Sequence, residues 1–207
     1  MFRSLFRPDS ALMITMSQIS DCIFLSLFWL LCCFPVFTAG ASTAAMYDAV
    51  YHAFRKGDKH SWGRFFRSFR RNLKSSLLTT IVFLIVSALL IKITVALWNN
   101  AVYGNISWAL FAAGAFVVFV ITGILGILFP MLSRFENSTA ALWKNTVFLA
   151  LAKLPFTLGI AAVNCTCMFL CVRYIFPLFF LPALGSLINT LFIEPMFKPY
   201  MPKEETQ

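Results

Sequence analysis

Long apolar blocks are the feature that most constrains how this chain can fold. Four blocks contain few or no charges and lie at 77–98, 108–132, 147–172 and 174–193. A helix needs about 20 mostly apolar residues to cross a hydrocarbon layer about 30 Å thick, and a helix satisfies its own backbone polar groups there. A fifth block, 19–37, is equally apolar but ends in Cys32-Cys33-Phe34-Pro35. We therefore predict an all-α polytopic membrane protein with four to five transmembrane helices, forming one domain over 1–207.

The composition of the chain supports this class. Of 207 residues, 60% are hydrophobic and 12% are charged, whereas soluble domains carry about 25% charged residues. Block 19–37 precedes Ala39-Gly40-Ala41, which has the small-x-small form of a signal-peptide cleavage site. A long stretch precedes the block, however, and Asp21 lies near its start. We expect the block to be retained.

Basic residues predict which side of the membrane each connection faces. The segment 55–74 holds eight of the 17 Lys and Arg, which are Arg55, Lys56, Lys59, Arg64, Arg67, Arg70, Arg71 and Lys74. Short cytoplasmic loops collect such residues, so this segment should be cytoplasmic. The connection 99–107 has no Lys or Arg and should be external. The same rule places the loop 133–146 and the C-terminus in the cytoplasm.

The path of block 19–37 leaves two topologies open. Five crossings would place the N-terminus outside, and the charge bias favours this arrangement. Alternatively, the block enters and leaves on the same side with its bend at 35–40, which leaves four crossings. Pro35 removes a helical hydrogen bond there, and small residues such as Gly40 allow close helix approach. The bend is either a packed structural feature or a helix break that lines a substrate path.

The cytoplasmic segment 43–75 has the periodicity of two amphipathic helices separated by a turn. On a helical wheel the aromatic stripe of the second helix consists of Trp62, Phe65, Phe66, Phe69 and Leu73, and the opposite face of Arg64, Arg67, Arg70, Arg71 and Lys74. Such a helix places its aromatics at the headgroup boundary and attracts anionic lipid of the inner leaflet. We predict a basic hairpin that anchors the protein to lipid or, alternatively, docks a partner. We expect no nucleic-acid binding, because the aromatics share one apolar stripe and are not free to stack on bases.

Polar residues inside the apolar blocks are candidate functional positions. The candidates are Asp21, Lys92, Asn164 and Asn189. Asp21 and Lys92 could form a pair if they lie on the same side of the membrane. The six Cys all lie in apolar blocks and behave as small hydrophobes there. No metal-ligand, nucleophile-elbow or phosphate-loop pattern is present, so we expect no enzyme activity, metal or cofactor.

Several of these residues also resemble a known family. The core reads Leu30-Leu31-Cys32-Cys33, Pro35-Val36, Thr38 and Gly40-Ala41-Ser42, followed by Phe65-Phe66, Asn72-Leu73-Lys74 and Pro130-Met131-Leu132. This pattern resembles the YesL family of bacterial membrane proteins, whose function is unknown. The resemblance implies a Gram-positive plasma membrane and genes near carbohydrate-uptake transporters and polysaccharide-degrading enzymes. It implies no catalytic residues. Ser26 stands where the family often has Asn, which puts a role for an amide there in doubt.

The resemblance also implies the functional expectation. We expect a non-enzymatic accessory or regulatory component of a carbohydrate uptake or sensing system, with ABC importer subunits or a sensor kinase as partners. Glu136, Leu154 and Pro155 have the spacing of the importer permease loop that docks on its ATPase, but only these three residues agree. The alternative is a small transporter or channel in its own right, working as a homo-oligomer.

Overall fold

The computed structural model describes residues 11–58, 60–104, 107–135 and 138–200, and all regular structure in these ranges is helical. The α-helices are α1 (Ala11–Cys33), α2 (Ala39–Arg55), α3 (Ser61–Val102), α4 (Trp108–Arg134), α5 (Thr139–Ala152), α6 (Leu154–Arg173) and α7 (Leu181–Phe197). Short 3-10 helices lie at Val36–Thr38, Phe176–Phe179 and Lys198–Tyr200. The predicted all-α fold is confirmed.

Three of these helices, α3, α4 and α6, are long and apolar enough to cross a membrane, judged by length and composition. The apolar part of α1, Gln18–Cys33, is shorter, and α7 has 17 residues. The predicted span 147–172 is divided between α5 and α6. Pro155 lacks an N–H and its ring crowds the carbonyl four residues earlier, so the helix breaks before it. Thr157 Oγ1 donates to the Ala150 carbonyl, 2.8 Å away, and so satisfies one of the last acceptors of α5.

Helix α3 joins two segments that the sequence presents separately. It contains 42 residues and is about 63 Å long at about 1.5 Å per residue. The predicted second amphipathic helix is therefore the start of the same helix that contains block 77–98. No proline interrupts Ser61–Val102, so the helix continues. The turn before it includes Gly57, whose φ of 69° is a left-handed conformation that favours glycine.

Helix α2 lies at the centre of the packed bundle and contacts α1, α3, α4 and α7. The sequence places this helix at the lipid surface, and that prediction is wrong, because most of its side chains are buried in protein. Small residues explain the position. Ala41, Ala44 and Ala49 have no exposed surface, and a Cβ on Gly40 would overlap Thr80 and Phe129.

The second half of α3, residues 81–102, pairs with the first half of α4, residues 108–122. We call this pair the arm. Leu97 packs on Gly114, and the rings of Trp98 and Phe111 lie 6.0 Å apart. In the described part of the arm, Leu90 and Ala101 are the only buried residues. The arm is apolar and largely exposed, as expected for helices that contact lipid.

Candidate functional site

A buried ion pair with two tyrosines joins three helices, one of which is α2. Arg134 Nη2 on α4 lies 3.0 Å from Glu194 Oε1 on α7, and the Tyr47 hydroxyl on α2 donates to the same oxygen over 2.8 Å. The Arg134 guanidinium carbon lies 3.8 Å from the centre of the Tyr51 ring. The side chain of Arg134 is only 8% exposed. These contacts tie α2, α4 and α7 together.

A second ion-paired group follows along α2. Asp48 Oδ2 lies 3.3 Å from Arg64 Nε on α3, and Asp48 Oδ1 lies 3.3 Å from His52 Nδ1. Arg64 Nη2 donates to His52 Nε2 over 2.8 Å. Because a guanidinium only donates, Nε2 accepts and His52 carries its proton on Nδ1, where it donates to the Asp48 carbonyl over 2.9 Å. Asp58 lies 3.8 Å from Arg64 and extends the group to the surface.

The surroundings set the ionisation of these groups. Burial alone would raise the pKa of Asp48, but the His52 hydrogen bond and the Arg64 charge outweigh burial and lower that pKa. Burial, together with the Glu194 carboxylate, raises the pKa of Tyr47 well above its ordinary value. Asp48 is therefore an anion and Tyr47 a neutral donor. We call the whole set, which comprises Tyr47, Asp48, Tyr51, His52, Asp58, Arg64, Arg134 and Glu194, the charge cluster.

The charge cluster is suited to holding helices together. Each of its carboxylates faces an arginine, so its charges compensate one another. Within the described residues no group of three His, Cys, Asp or Glu could hold a metal ion. A cleft of about 390 Å³ lies nearby, between α4, α5 and α7, and its lining is Met131, Phe135, Asn145, Phe148, Leu149, Phe197 and Tyr200. The charged groups of the cluster do not line this cleft.

The basic aromatic stripe of α3 is divided between protein contacts and exposed surface. Phe65 is completely buried and its ring lies 6.2 Å from that of Phe28, so it is not available for the contact that the stripe predicts. Phe69 is half-buried, and Arg64 belongs to the charge cluster. The exposed members are Trp62, Phe66, Arg67, Arg70, Arg71 and Lys74. The amphipathic pattern marks an interface between helices for part of its length.

Two of the polar residues in apolar blocks meet. Asn189 Nδ2 on α7 donates to Asn164 Oδ1 on α6 over 2.9 Å, while Asn189 Oδ1 is buried without a hydrogen-bond partner among the described residues. Asp21 and Lys92 do not form the pair considered above. Asp21 accepts from Ser61 Oγ at 2.8 Å, whereas Lys92 is exposed in the arm, about 46 Å farther along α3 at about 1.5 Å per residue.

The bend after α1 is closely packed. Pro35 precedes the 3-10 helix Val36–Thr38, and Thr38 Oγ1 donates to the carbonyls of Cys32, 2.5 Å away, and Pro35, 2.7 Å away. Gly40 lies directly against α3 and α4, without room for a side chain. The geometry favours the packed bend over a helix break that lines a substrate path. The loop residue Glu136, part of the importer-like spacing, lies outside the described residues.

Sequence reasoning did not find the charge cluster. Arg134 contributes to the charge bias of a loop, Asp48 and His52 belong to the polar side of a helical wheel, and Glu194 follows the last apolar block. The available signal is that Arg134 and Glu194 are single opposite charges at the ends of two apolar helices. Their pairing depends on which helix ends meet, and the sequence pattern does not specify that.

Comparison with known proteins gives one match. A family model described as a protein of unknown function, DUF624, matches residues 22–92. The matched region is about a third of the chain and covers the second half of α1, the bend, α2 and the larger part of α3. No curated protein and no solved structure matches the chain.

Proposed function

We propose that the protein is a non-enzymatic accessory or regulatory component of a carbohydrate uptake or sensing system in a bacterial plasma membrane. The observation that carries this proposal is that the described acidic groups make contacts within the protein. All four carboxylates in the described ranges have internal partners, and they are Asp21, Asp48, Asp58 and Glu194. These four acidic groups therefore make contacts within the protein, whereas the described first turns of α3 expose the cations Arg67, Arg70 and Lys74. Such a surface is suited to recognising an acidic partner.

The match to the DUF624 family model supports the biological setting of the proposal. YesL-like proteins carry the DUF624 domain, and most of the residues that resemble that family fall within the matched region. We propose that the chain is YesL-like, with a cytoplasmic C-terminus as the positive-inside rule predicts. The link to carbohydrate uptake comes from this resemblance alone.

Co-purification from the native host tests the proposed function. The tagged full-length protein would be extracted in mild detergent, and its partners would be quantified by mass spectrometry beside an unrelated multi-pass protein with the same tag. We expect importer subunits or a sensor kinase in a fixed ratio to the protein and absent from the control. Recovery of the protein alone would contradict an accessory role.

A small oligomeric transporter or channel is the second candidate. It is favoured by the contact between Asn164 and Asn189, because polar groups inside apolar helices often mark a solute path and Asn189 Oδ1 has no partner among the described residues. Solute flux into proteoliposomes should then fall at least tenfold in Asn189→Leu. Flux that is absent, or unchanged in both Asn189→Leu and Asp21→Asn, would count against a path through these residues.

A further inference from the structure

The first turns of α3 carry a stripe of exposed cations. Arg67, Arg70, Arg71 and Lys74 are exposed and follow the spacing i, i+3, i+4 and i+7, which places them on one helix face. We call them the cationic stripe. The same side of α3 then continues with the exposed aliphatic residues Leu77, Leu78, Ile81 and Ile85. By the distribution of charge and hydrophobicity, we expect α3 to enter the hydrocarbon layer at this change from cations to aliphatics, near Leu77.

An exposed apolar patch lies beyond the cationic stripe, at the end of α3 that points away from the hydrocarbon layer. Trp62 is 59% exposed and Phe66 is 45% exposed. Helix α1 runs beside them, since the ring of Phe28, which is half-buried, lies 5.1 Å from that of Phe66 and Asp21 accepts from Ser61 Oγ. This part of block 19–37 therefore lies at the depth of the first turns of α3, although the sequence predicts that the block enters the membrane. One turn earlier on α1, Phe24 is 55% exposed. We call Phe24, Phe28, Trp62 and Phe66 the aromatic patch.

If α3 enters the hydrocarbon layer at Leu77, lipid headgroups do not reach the aromatic patch. The headgroup layer adds about 5–8 Å on each side of a hydrocarbon core about 30 Å thick. Along α3, Trp62 precedes Leu77 by about 22 Å and Phe66 precedes it by about 16 Å, at about 1.5 Å per residue. Even with a tilt of about 40°, the upper end of the observed range, about 17 Å and about 13 Å remain. The patch therefore needs another cover, because contiguous exposed apolar surface marks an interaction site.

The charges beside the aromatic patch indicate whether a second copy of the chain or a different protein covers it. A symmetric pairing of two copies through the patch would bring their cationic stripes together, and like charges across an interface are unfavourable. No carboxylate in the described ranges is free to compensate them, since all of these have internal partners. A partner that contributes the opposite charge fits both surfaces.

We propose that the aromatic patch and the cationic stripe together bind an acidic amphipathic helix of a partner protein, on the cytoplasmic side of the membrane. This inference rests on the proposed function and names the surface and the partner chemistry. The apolar face of the partner helix covers Trp62 and Phe66, and its carboxylates pair with Arg67 and Arg70. The helical wheel divides aromatic and basic residues between two faces, but Phe66 and Arg70, at i and i+4, are neighbours where these faces meet. Helices commonly bind in this way, with an apolar face in a groove and charges at the rim. Trp and Arg are also the residues most enriched among binding hot spots.

Site-specific photocrosslinking in intact cells tests the proposal. The photoreactive residue p-benzoylphenylalanine would replace Trp62 in the full-length chain and, as a control, Leu89 in the arm, which is 57% exposed. We expect position 62 to crosslink to a protein through a peptide of net negative charge, and position 89 to crosslink mainly to lipid. A lipid adduct at position 62, an adduct to a second copy of the chain, or no adduct there would overturn the proposal.

Charge reversal tests the role of the cationic stripe. Arg67→Glu with Arg70→Glu should reduce the protein adduct at position 62 at least tenfold, whereas Arg173→Glu, at another exposed cation, should leave it unchanged. Equal melting temperatures of the two variants would show that both fold. A protein adduct that survives the double reversal would overturn the assignment of an acidic partner.

The failure of this surface can be separated from failure of the proposed function. If partners co-purify in the same ratio with the double-reversal variant and with the wild type, the accessory role stands and the docking surface is wrong. If the wild type is recovered without any partner and position 62 labels lipid, both are wrong.

Discussion

The arm and helix α2 show opposite relations between hydrophobicity and burial. The arm is strongly apolar, yet Ile85 is 64% exposed and Phe116 is 59% exposed. Helix α2 is built from alanine, glycine and polar residues, yet Ala44 has no exposed surface and even Asp48 is only 5% exposed. Apolar residues thus dominate the outside of the arm. The small and charged residues of α2 lie among large buried apolar side chains of the other helices, such as Ile127 and Phe197.

This difference follows from the solvent. Lipid is as apolar as leucine, so an apolar side chain in a membrane does not need protein around it. Small residues let helices approach closely, and polar contacts then fix which helices pair. The position of a helix in this protein therefore does not follow from its hydrophobicity alone. Four sets of variants test how far that contrast extends.

The largest effect should come from breaking the buried ion pair. Arg134→Met leaves Glu194 without its cation at the centre of the bundle. Removing one partner of a buried pair costs about 3–5 kcal/mol, because the remaining charge is uncompensated. Unfolding of the purified protein by SDS in mixed micelles would measure the loss in the free energy of unfolding.

The double variant Arg134→Met with Glu194→Gln separates pairing from packing. It removes both charges while the amide can still accept from Tyr47, so most of the loss should be recovered. A stability of Arg134→Met equal to that of the wild type would show that the charge cluster does not hold α2, α4 and α7 together.

Truncation of an apolar side chain should have a large effect in the core and a small one in the arm. Ile127 has no exposed surface, so Ile127→Ala should cost about 2–5 kcal/mol through lost contacts and a cavity. Ile85→Ala should cost less than about 0.5 kcal/mol, as is usual for exposed positions. The same unfolding measurement compares them. Equal losses would mean that the arm is buried against protein in the assembled state.

A smaller effect should come from adding a methyl group to a helical glycine. Gly40→Ala forces its Cβ against Thr80 and Phe129, and overpacking of this kind costs about 1–3 kcal/mol. Gly63→Ala is the matched control, because nothing lies within 4 Å of a Cβ there. Helix formation should make that variant more stable by about 0.5–1 kcal/mol. Melting temperatures in detergent would show the opposite signs, and losses of equal size would contradict the close packing of Gly40.

The parts of the fold that the sequence predicts are those determined locally. Apolar blocks predict helices because spanning length is a property of one segment. Pro35 and Gly57 predict the bend and the turn through their own backbone preferences. Pro155 indicates a break between α5 and α6, but the apolar run on both sides of it is typical of a single span.

The position of α2 and the charge cluster depend on contacts between distant segments. The wheel of α2 shows an apolar stripe, and that pattern does not distinguish lipid from protein as the facing surface. The partners Arg134 and Glu194 come from different helices whose ends meet only in the folded bundle. The sequence indicates Asn164 and Asn189 as two separate candidates, but it does not predict that they form a hydrogen bond with each other.

The smallest effect should be the pH dependence contributed by Asp48. Its pKa in the folded protein is lowered from an ordinary value of 3.8, because the His52 hydrogen bond and the Arg64 charge outweigh burial. A lowered pKa means that the carboxylate stabilises the fold above the ordinary value and loses this contribution as the pH falls below it. Melting temperatures measured from about pH 7 to about pH 3 should therefore drop more in the wild type than in Asp48→Asn.

The comparison of these two proteins reports the Asp48 carboxylate together with the groups that contact it. His52 and Arg64 touch Asp48 directly, so their contributions change with the substitution. Asp48→Asn should be less stable than the wild type at neutral pH, and the two curves should converge below about pH 4 as Asp48 becomes protonated. Parallel curves would mean that the Asp48 carboxylate is not stabilised by its neighbours. The packing of α2 would then rest on its small residues and on the contacts of Tyr47 and Tyr51 with Glu194 and Arg134.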